Sequence, residues 1–215
     1  MKTLSILSRK GGAGKTTVAL HLAVAAQTAG RRTAIVDMDP QRSAADWWRS
    51  RHAETPELVE VNAGELAKVV KAGKADGVDL LVVDTRPSAE ADALEAATAA
   101  DLAVIVVKPT ILDLRAVAGT VETLRRAKTP GLVVINQAPP MRGEAEAAIV
   151  QEARGALEGY GFPVLPTVLR YRAAYHAALI DGRAVNELEP GGKATAEIAA
   201  LWRLLEKVLW QSARH

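Results

Sequence analysis

The 215-residue sequence contains no cysteine. Disulfide bonds, thiolate metal sites and iron–sulfur clusters are therefore excluded, and the composition fits a reducing compartment such as the cytoplasm. No apolar run approaches the ~20 residues that a membrane-spanning helix needs, and the N-terminal stretch 1–8 is too short for a signal peptide. A net charge of only +2 permits contact with nucleic acid or an anionic surface but does not require it. With 49% hydrophobic and 24% charged residues, residues 1–215 are expected to fold as one globular domain.

Short runs rich in Val, Ile and Leu alternate with longer stretches of helical pattern. The runs lie at 4–7, 34–36, 58–61, 80–83, 102–107, 132–135 and 163–168. Helices are predicted at 15–29, 43–52, 64–73, 89–99, 113–127, 143–159, 171–181 and 193–212. Because continuous apolar strands between helices are typical of a sheet buried on both faces, the sequence predicts an α/β fold. We expect a mostly parallel sheet with helices on both faces.

The first apolar run leads into a glycine-rich segment that is followed by a helix. Its glycines are Gly11, Gly12 and Gly14. They allow backbone N–H groups to point at one anion, and the helix N-terminus adds its positive dipole end. Lys15 supplies a full charge for terminal phosphates, the Thr16 hydroxyl suits Mg²⁺, and Thr17 can reach the first phosphate. The segment therefore predicts the phosphate-binding loop of a P-loop NTPase fold.

One position departs from the common form of this loop. The pattern G-x-x-x-x-G-K-[ST] requires glycine where Arg9 stands, and residues 10–17 read Lys-Gly-Gly-Ala-Gly-Lys-Thr-Thr. This segment resembles the deviant phosphate-binding loop of the ParA/MinD family of ATPases. A dinucleotide-binding turn is the alternative, because its glycine spacing is imitated here. That turn needs a third glycine where Thr17 stands, and a Lys-Thr pair is foreign to it.

The resemblance implies ATP and ADP as ligands, Mg²⁺ as the metal and ATP hydrolysis as the reaction. It places a continuous segment around the nucleotide, made of Gly11, Gly12, Ala13, Gly14, Lys15, Thr16 and Thr17. In the family, the lysine at the position of Lys10 crosses to the nucleotide of a second subunit. A cation there offsets charge on the transferring phosphoryl group, as an arginine finger does. The resemblance thus implies an ATP-dependent homodimer in which Lys10, Lys15 and Asp39 act in catalysis.

Acidic residues follow two further apolar runs. Residues 36–41 resemble the V-D-x-D-P-Q segment of the family, which implies that Asp39 orients the attacking water and that Asp37 supports Mg²⁺ or Lys15. The alternative is that these acids only open a turn. Asp84 ends the run 80–83, at the strand end where ligands sit in open α/β sheets, and is expected in the Mg²⁺ shell.

Two other residues at or just after apolar runs each have two possible roles. Asn136 stands where the family places an asparagine that pairs with the adenine edge, although a strand-capping asparagine is the alternative. Arg86 departs from the family pattern D-[TC]-P-P that begins at Asp84. It is either an ordinary exposed residue or an additional charge near the nucleotide or the dimer partner.

Three further segments resemble the family in the order in which the family has them. They are 43–49, 108–114 and 172–185. Because the loop begins at residue 9, we expect no helix-turn-helix segment before it. The sequence is therefore similar to the short plasmid-type ParA proteins, which do not bind a specific operator by themselves.

Three functions are compatible with such an ATPase. The first is a nucleoid-associated partition or positioning ATPase, in which the ATP dimer binds DNA non-specifically through phosphate contacts and a ParB-like partner stimulates hydrolysis. Its candidate DNA contacts are Arg170, Arg172, Arg183 and Lys193, with Arg203, Lys207 and Arg214 near the C-terminus. The second is a MinD-like membrane ATPase, but the apolar stripe of residues 194–215 is more typical of a helix packed on its own domain, so membrane binding is not expected. The third, a metabolic relative, lacks both the cysteines of iron-protein reductases and any substrate motif.

Overall fold

The structure, a computed structural model, describes residues 1–62, 64–87, 89–141, 143 and 145–211. These residues form a seven-stranded sheet in which all the paired strands are parallel. The strands are β1 (Lys2–Leu7), β2 (Thr33–Asp37), β3 (Glu57–Glu60), β4 (Leu80–Asp84), β5 (Leu102–Val107), β6 (Gly131–Ala138) and β7 (Val164–Arg170). Their order in the sheet is β3-β2-β4-β1-β5-β6-β7, so the predicted parallel α/β fold is confirmed.

Helices connect the strands. They are α1 (Lys15–Thr28), α2 (Ser43–Arg49), α3 (Leu66–Ala75), α4 (Glu90–Ala99), α5 (Ile111–Ala127), α6 (Ala148–Glu158), α7 (Ala173–Ile180), α8 (Val185–Leu188) and α9 (Lys193–Gln211). The helix predicted at 143–159 begins only at Ala148, because the backbone of Ala147 is extended, with φ −62° and ψ 137°. The short helix α8 was not predicted. Residue 212 of the last predicted helix lies outside the described residues.

The two faces of the sheet support two separate cores. In β4, Leu80 and Val82 face one core, whereas Leu81 and Val83 face the other. The first core includes buried residues of α1, α7, α8 and α9, and the second includes buried residues of α3, α4, α5 and α6. Since each fully buried aliphatic side chain contributes roughly 1.5–3 kcal/mol, both helix layers are held firmly to the sheet.

The register of the central strands brings the predicted site residues together. Asp84 at the end of β4 lies opposite Asp37 of β2 on one side and Ile6 of β1 on the other. Because the carboxyl ends of parallel strands meet at one edge, the loop after β1 emerges beside both acids. Helix α5 starts at this same edge after β5, and its first residues, Ile111 and Leu112, are 66% and 60% exposed.

Candidate nucleotide-binding site

The loop between β1 and α1 turns on two glycines with left-handed backbone conformations. Gly12 has φ 73° and Gly14 has φ 92°, a region that favours glycine. A Cβ atom on Gly14 would lie 2.4 Å from the side-chain nitrogen of Asn136, so this position also has no room for a side chain. Gly11 has open space around its Cα and no left-handed φ. Gly14 is therefore the glycine that the packing of the loop requires most strictly.

Two amide side chains from the end of β6 support this loop. Asn136 Nδ2 donates a hydrogen bond of 2.8 Å to the carbonyl oxygen of Ala13, and Gln137 Nε2 donates one of 3.2 Å to that of Gly12. Asn136 is buried, and Gln137 adopts a left-handed φ of 52°. The contact of Asn136 with adenine stays a prediction, since here its amide binds the loop. Gln137 was missed by the sequence analysis, where its only signal is its place beside Asn136.

A cavity of about 600 Å³ opens in front of the loop. It is lined by the loop and α1, by Asp39 and Pro87, by α2 with the residue after it, and by the end of α7: Gly12, Gly14, Lys15, Thr16, Thr17, Leu20, Asp39, Ser43, Asp46, Trp47, Ser50, Pro87, Leu179 and Ile180. The structure thus brings Lys15, Thr16 and Asp39 to one space, as the sequence predicts. The walls formed by α2 and α7 were not predicted from the sequence.

Lys15 and Asp84 form the charged floor of the site. Burial lowers the pKa of Lys15, and the negative charges of Asp84 and Asp39 oppose that change. Burial raises the pKa of Asp84 to about 7; Asp37 acts in the same direction, whereas Thr16 and Lys15 oppose it. Within the described residues, neither carboxylate oxygen of Asp84 has a hydrogen bond of good geometry, although the Thr16 hydroxyl lies near enough to lower its pKa.

These orphaned oxygens fit the presence of a hydrated Mg²⁺ ion. A buried carboxylate without partners is costly unless a cation or water satisfies it. The described part of the chain has no group of three or more His, Cys, Asp or Glu residues that could hold a metal ion. Mg²⁺ binds through few protein ligands and completes its octahedron with water and phosphate oxygens. Thr16 and Asp84 are the residues that would hold it.

Asp37 and Asp39 have different environments although they are two residues apart. Both oxygens of the buried Asp37 accept backbone hydrogen bonds, from Asp39 N at 2.9 Å and from Ala45 N at 3.0 Å. Burial raises the pKa of Asp37 in spite of these bonds. Asp37 therefore orders the turn, and its support of Mg²⁺ or Lys15 stays a prediction, since each carboxylate oxygen has a further lone pair. Asp39 lies on the cavity and accepts a hydrogen bond of 2.9 Å from Gln41 N.

Arg9 and Lys10 begin the loop and have contrasting contacts. The Arg9 guanidinium pairs with Glu90 at 3.0 Å and lies against Gly119 of α5, where a Cβ would be 2.4 Å from Arg9 Cδ. Half-buried Lys10 donates its backbone N–H to Ser8 Oγ at 3.4 Å. Its ammonium has no hydrogen-bond or ion-pair partner in the described part of the protein, and Lys10 does not line the cavity. Arg9, which stands where the common loop has glycine, thus anchors the loop to α4 and α5.

Arg86, the departure from the family pattern, contacts α4. Its Nε lies 2.7 Å from Asp92 Oδ2, and the Asp92 carboxylate is buried. Arg86 is therefore held by an ion pair within its own chain.

The candidate DNA contacts are not equally available. Arg170 is buried and donates to Pro139 O at 2.7 Å and to Glu146 at 3.0 Å. Its guanidinium is therefore not available to contact a DNA phosphate, and the prediction for Arg170 is wrong. Arg172 forms a 2.6 Å ion pair with Glu197, and Arg183 pairs with Asp181. Exposed positions remain at Lys193, Arg203 and Lys207, and Arg214 lies outside the described residues.

Helix α9 packs on the domain through its apolar residues. Ile198, Leu201, Trp202, Leu205 and Leu209 are all buried in the first core. The described residues include no helix long and apolar enough to cross a membrane. The apolar stripe of α9 is therefore occupied by the protein's own core.

The fold and loop define a P-loop nucleotide-binding protein. Residues 4–185 match the family model of the CobQ/CobB/MinD/ParA nucleotide binding domain, and the chain belongs to this family. It is 34% identical over 97% of its length to a maintenance of carboxysome distribution protein A from Gloeobacter kilaueensis, covering 94% of that protein. It is 31% identical to the protein of the same name from Halothiobacillus neapolitanus, with 91% of each chain covered.

A similar fold is found in a solved structure. The septum site-determining protein MinD from Pyrococcus horikoshii, complexed with Mg-ADP, superposes with a TM-score of 0.77 at 19% identity, covering 100% of this chain and 99% of that one. At this identity the likeness concerns the fold. The ligand of that relative is of the kind that the loop at 10–17 predicts.

Proposed function

We propose that this chain is a Mg²⁺-dependent ATPase that pairs with a second copy when ATP is bound and positions a large intracellular cargo. In its ATP form it binds DNA without sequence preference, and an activating partner protein stimulates hydrolysis and release. The family and the cavity support nucleotide binding.

The observation that carries the proposal is the position of Lys10. A lysine beside a phosphate-binding loop normally serves that loop, yet the ammonium of Lys10 has no partner within the described residues, and Lys10 is absent from the cavity lining. Lys15 already supplies the cation within the cavity. A second copy facing the same sheet edge would give Lys10 an anionic partner in the other nucleotide. The exposed Ile111 and Leu112 at that edge would be covered by the same contact.

The roles within one site follow from the contacts. The loop N–H groups and Lys15 bind the phosphates, and bound Mg²⁺ supplies charge neutralisation of the phosphoryl oxygens. Two carboxylates line the cavity, those of Asp39 and Asp46. Because Asp46 is paired with Arg49 at 2.7 Å, Asp39 is the one better placed to orient water. An Asp39→Ala variant is expected to bind ATP and dimerise but to turn over slowly.

The relatives favour a protein assembly as the cargo. The two carboxysome distribution proteins cover more than nine-tenths of this chain at 31% and 34% identity. We therefore propose a cargo of the size of a protein compartment in preference to a plasmid. A membrane-anchored function is not proposed, since the apolar residues of α9 are buried in the core.

DNA binding by the ATP form is tested directly by a salt series. Binding to a random-sequence duplex is measured with ATP, with ADP and without nucleotide, at increasing salt. We expect binding only with ATP. The logarithm of the binding constant should fall linearly with the logarithm of the salt concentration. A triple Lys193→Ala, Arg203→Ala and Lys207→Ala variant should bind more weakly at all salt concentrations. Absence of DNA binding in all three nucleotide states would contradict this part of the proposal.

A further inference from the structure

The end of α2 is packed against the turn between α7 and α8. Gly182 in this turn has φ 66°, and a Cβ there would lie 2.4 Å from both the Cα and the backbone nitrogen of Arg51. The two backbones are therefore in direct contact. Residues 50–51 follow the helix whose side chains Ser43, Asp46 and Trp47 line the nucleotide cavity.

Arg51 joins these two parts of the chain. Its side chain is 4% exposed and forms a two-pronged ion pair with Glu187 of α8, at 2.8 and 2.6 Å. It also donates to the carbonyl oxygens of Gly182 and Thr55, both at 2.8 Å. The guanidinium lies 5.2 Å from the centre of the Trp47 ring. An arginine with its donors used inside the protein in this way has a positioning role.

Glu187 and Trp47 extend the connection on both sides. Glu187 also accepts a hydrogen bond of 2.8 Å from Ala184 N, which fixes the turn before α8. Trp47 Nε1 donates a hydrogen bond of 3.1 Å to the carbonyl oxygen of Arg183. Since Trp47 lines the cavity, one side chain touches both the nucleotide space and the turn.

The other side of the turn is also tied to the cavity. Leu179 and Ile180 at the end of α7 line it, and Ile180 is 78% exposed. Helix α2 has seven residues, which is too short to hold its position by its own helical stability, so its contacts decide where it lies. A ligand that contacts α2 will therefore act on the turn through the bonds described here.

We propose that Arg51 and Glu187 are positioning residues that transmit nucleotide occupancy from the α2 wall of the cavity to the turn between α7 and α8, where Ile180 and Asp181 are exposed and Arg183 is partly exposed. The inference rests on the proposed function only in requiring that the cavity binds nucleotide. Neither DNA nor a second subunit enters it. The surface that responds contains Arg183 and Ile180, so it is the part of the molecule whose shape a partner would read.

The test is amide hydrogen exchange of the full chain with and without saturating Mg-ADP. In the wild type, exchange in residues 181–189 should slow by about fivefold or more on nucleotide addition, the lower end of typical coupling between linked sites. In Glu187→Ala the nucleotide effect on 181–189 should disappear while that on the loop at 10–17 remains. Glu187→Gln, which keeps an acceptor oxygen for Arg51, should restore an intermediate effect that a merely structural role would not produce.

Arg49→Ala is the matched control. Arg49 lies on the same helix and forms ion pairs with Asp46 and Glu60, but it is solvent-exposed, so the effect on 181–189 should stay as in the wild type. Unchanged exchange in β5 verifies that each variant is folded. If Glu187→Ala does not fold, Glu187→Gln alone tests the proposal. If nucleotide slows exchange at 10–17 but not at 181–189 in the wild type, this inference alone is overturned. The same holds if folded Glu187→Ala shows the full nucleotide effect at 181–189, or if Glu187→Gln shows no loss of that effect. If Mg-ADP does not slow exchange at 10–17 in the wild type either, the proposed function is overturned as well.

Discussion

Asn136 donates a hydrogen bond of 2.8 Å to the carbonyl oxygen of Ala13, so a residue at the end of β6 helps to shape the loop after β1. With this carbonyl engaged behind the loop, the peptide unit is held in one orientation. The relationship joins two segments that are more than 120 residues apart in the chain. It also explains why Gly14 cannot carry a side chain, since the Asn136 amide occupies that space.

Asn136→Ala is expected to weaken ADP binding by about tenfold, because a buried carbonyl that loses its partner costs about 1–3 kcal/mol. Titration calorimetry with ADP and GDP measures this. A similar loss for both nucleotides indicates a role in loop geometry, whereas a loss confined to ADP indicates that Asn136 reads adenine. Gln137→Ala, which removes a longer and more exposed bond, should change affinity by less than about threefold.

Gly14→Ala should lower the free energy of unfolding by about 2–4 kcal/mol. The substitution combines a left-handed φ of 92° with a Cβ contact of 2.4 Å to Asn136. Gly11→Ala is the control, because Gly11 has open space and no left-handed φ, and it should change stability by less than about 1 kcal/mol. Urea denaturation of the nucleotide-free proteins compares the two, and equal destabilisation would contradict the assigned geometry.

Lys10→Ala should keep ATP affinity within about threefold of the wild type while ATPase activity falls by about 10³-fold or more, the range for a missing arginine finger. ATP-dependent dimerisation should be lost as well. The measurements are nucleotide titration, phosphate release and light scattering. Lys2→Ala, at the opposite end of β1 and in an exposed pair with Asp101, should behave as the wild type. Normal hydrolysis by Lys10→Ala would place the second-subunit role elsewhere.

His21 makes stability depend on pH. It is fully buried, and Val185 N donates to its Nδ1 at 3.2 Å, so its Nε2 carries the proton and donates to Tyr175 O at 3.3 Å. Burial lowers the pKa of His21 from 6.5 to about 4. The unfolded chain therefore binds a proton between pH 6.5 and 4 that the folded chain does not, and stability is lost as pH falls through this window.

The expected loss is about 3 kcal/mol on going from pH 7.5 to pH 4, at 1.36 kcal/mol per unit of pKa difference. Urea denaturation across this range measures it. His21→Gln lowers stability at neutral pH but should show a shallower decline on acidification. Parallel pH profiles for the two proteins would show that other groups dominate.

The sequence predicts β2, β4 and β5 well because each is a continuous apolar run bounded by polar residues. The apolar run at 80–83 is recognised as a buried strand without knowing its neighbours in the sheet. Asp84 is then expected at the carboxyl end of that strand. The loop at 10–17 is predicted for a similar reason, since its chemistry lies within eight consecutive residues. Local signals of this kind are read directly from the chain.

Partners that are distant in the chain could not be predicted. Arg170 looks like a surface cation in the sequence, but it is buried because Glu146 and a carbonyl receive it. Glu187 looks like an acid that dilutes a basic surface, but it binds Arg51 from 136 positions earlier in the chain. Asp37 has the spacing of a metal ligand, and only the fold shows that its oxygens meet two backbone amides.

The exposed first turn of α5 has a thermodynamic consequence for assembly. If a second copy covers Ile111 and Leu112 at the loop edge, apolar surface leaves water and the heat capacity of association is negative. The enthalpy of ATP-driven pairing should then become more favourable with rising temperature. Replacing both side chains with serine should flatten that temperature dependence, even where nucleotide binding by each separate subunit is unaltered.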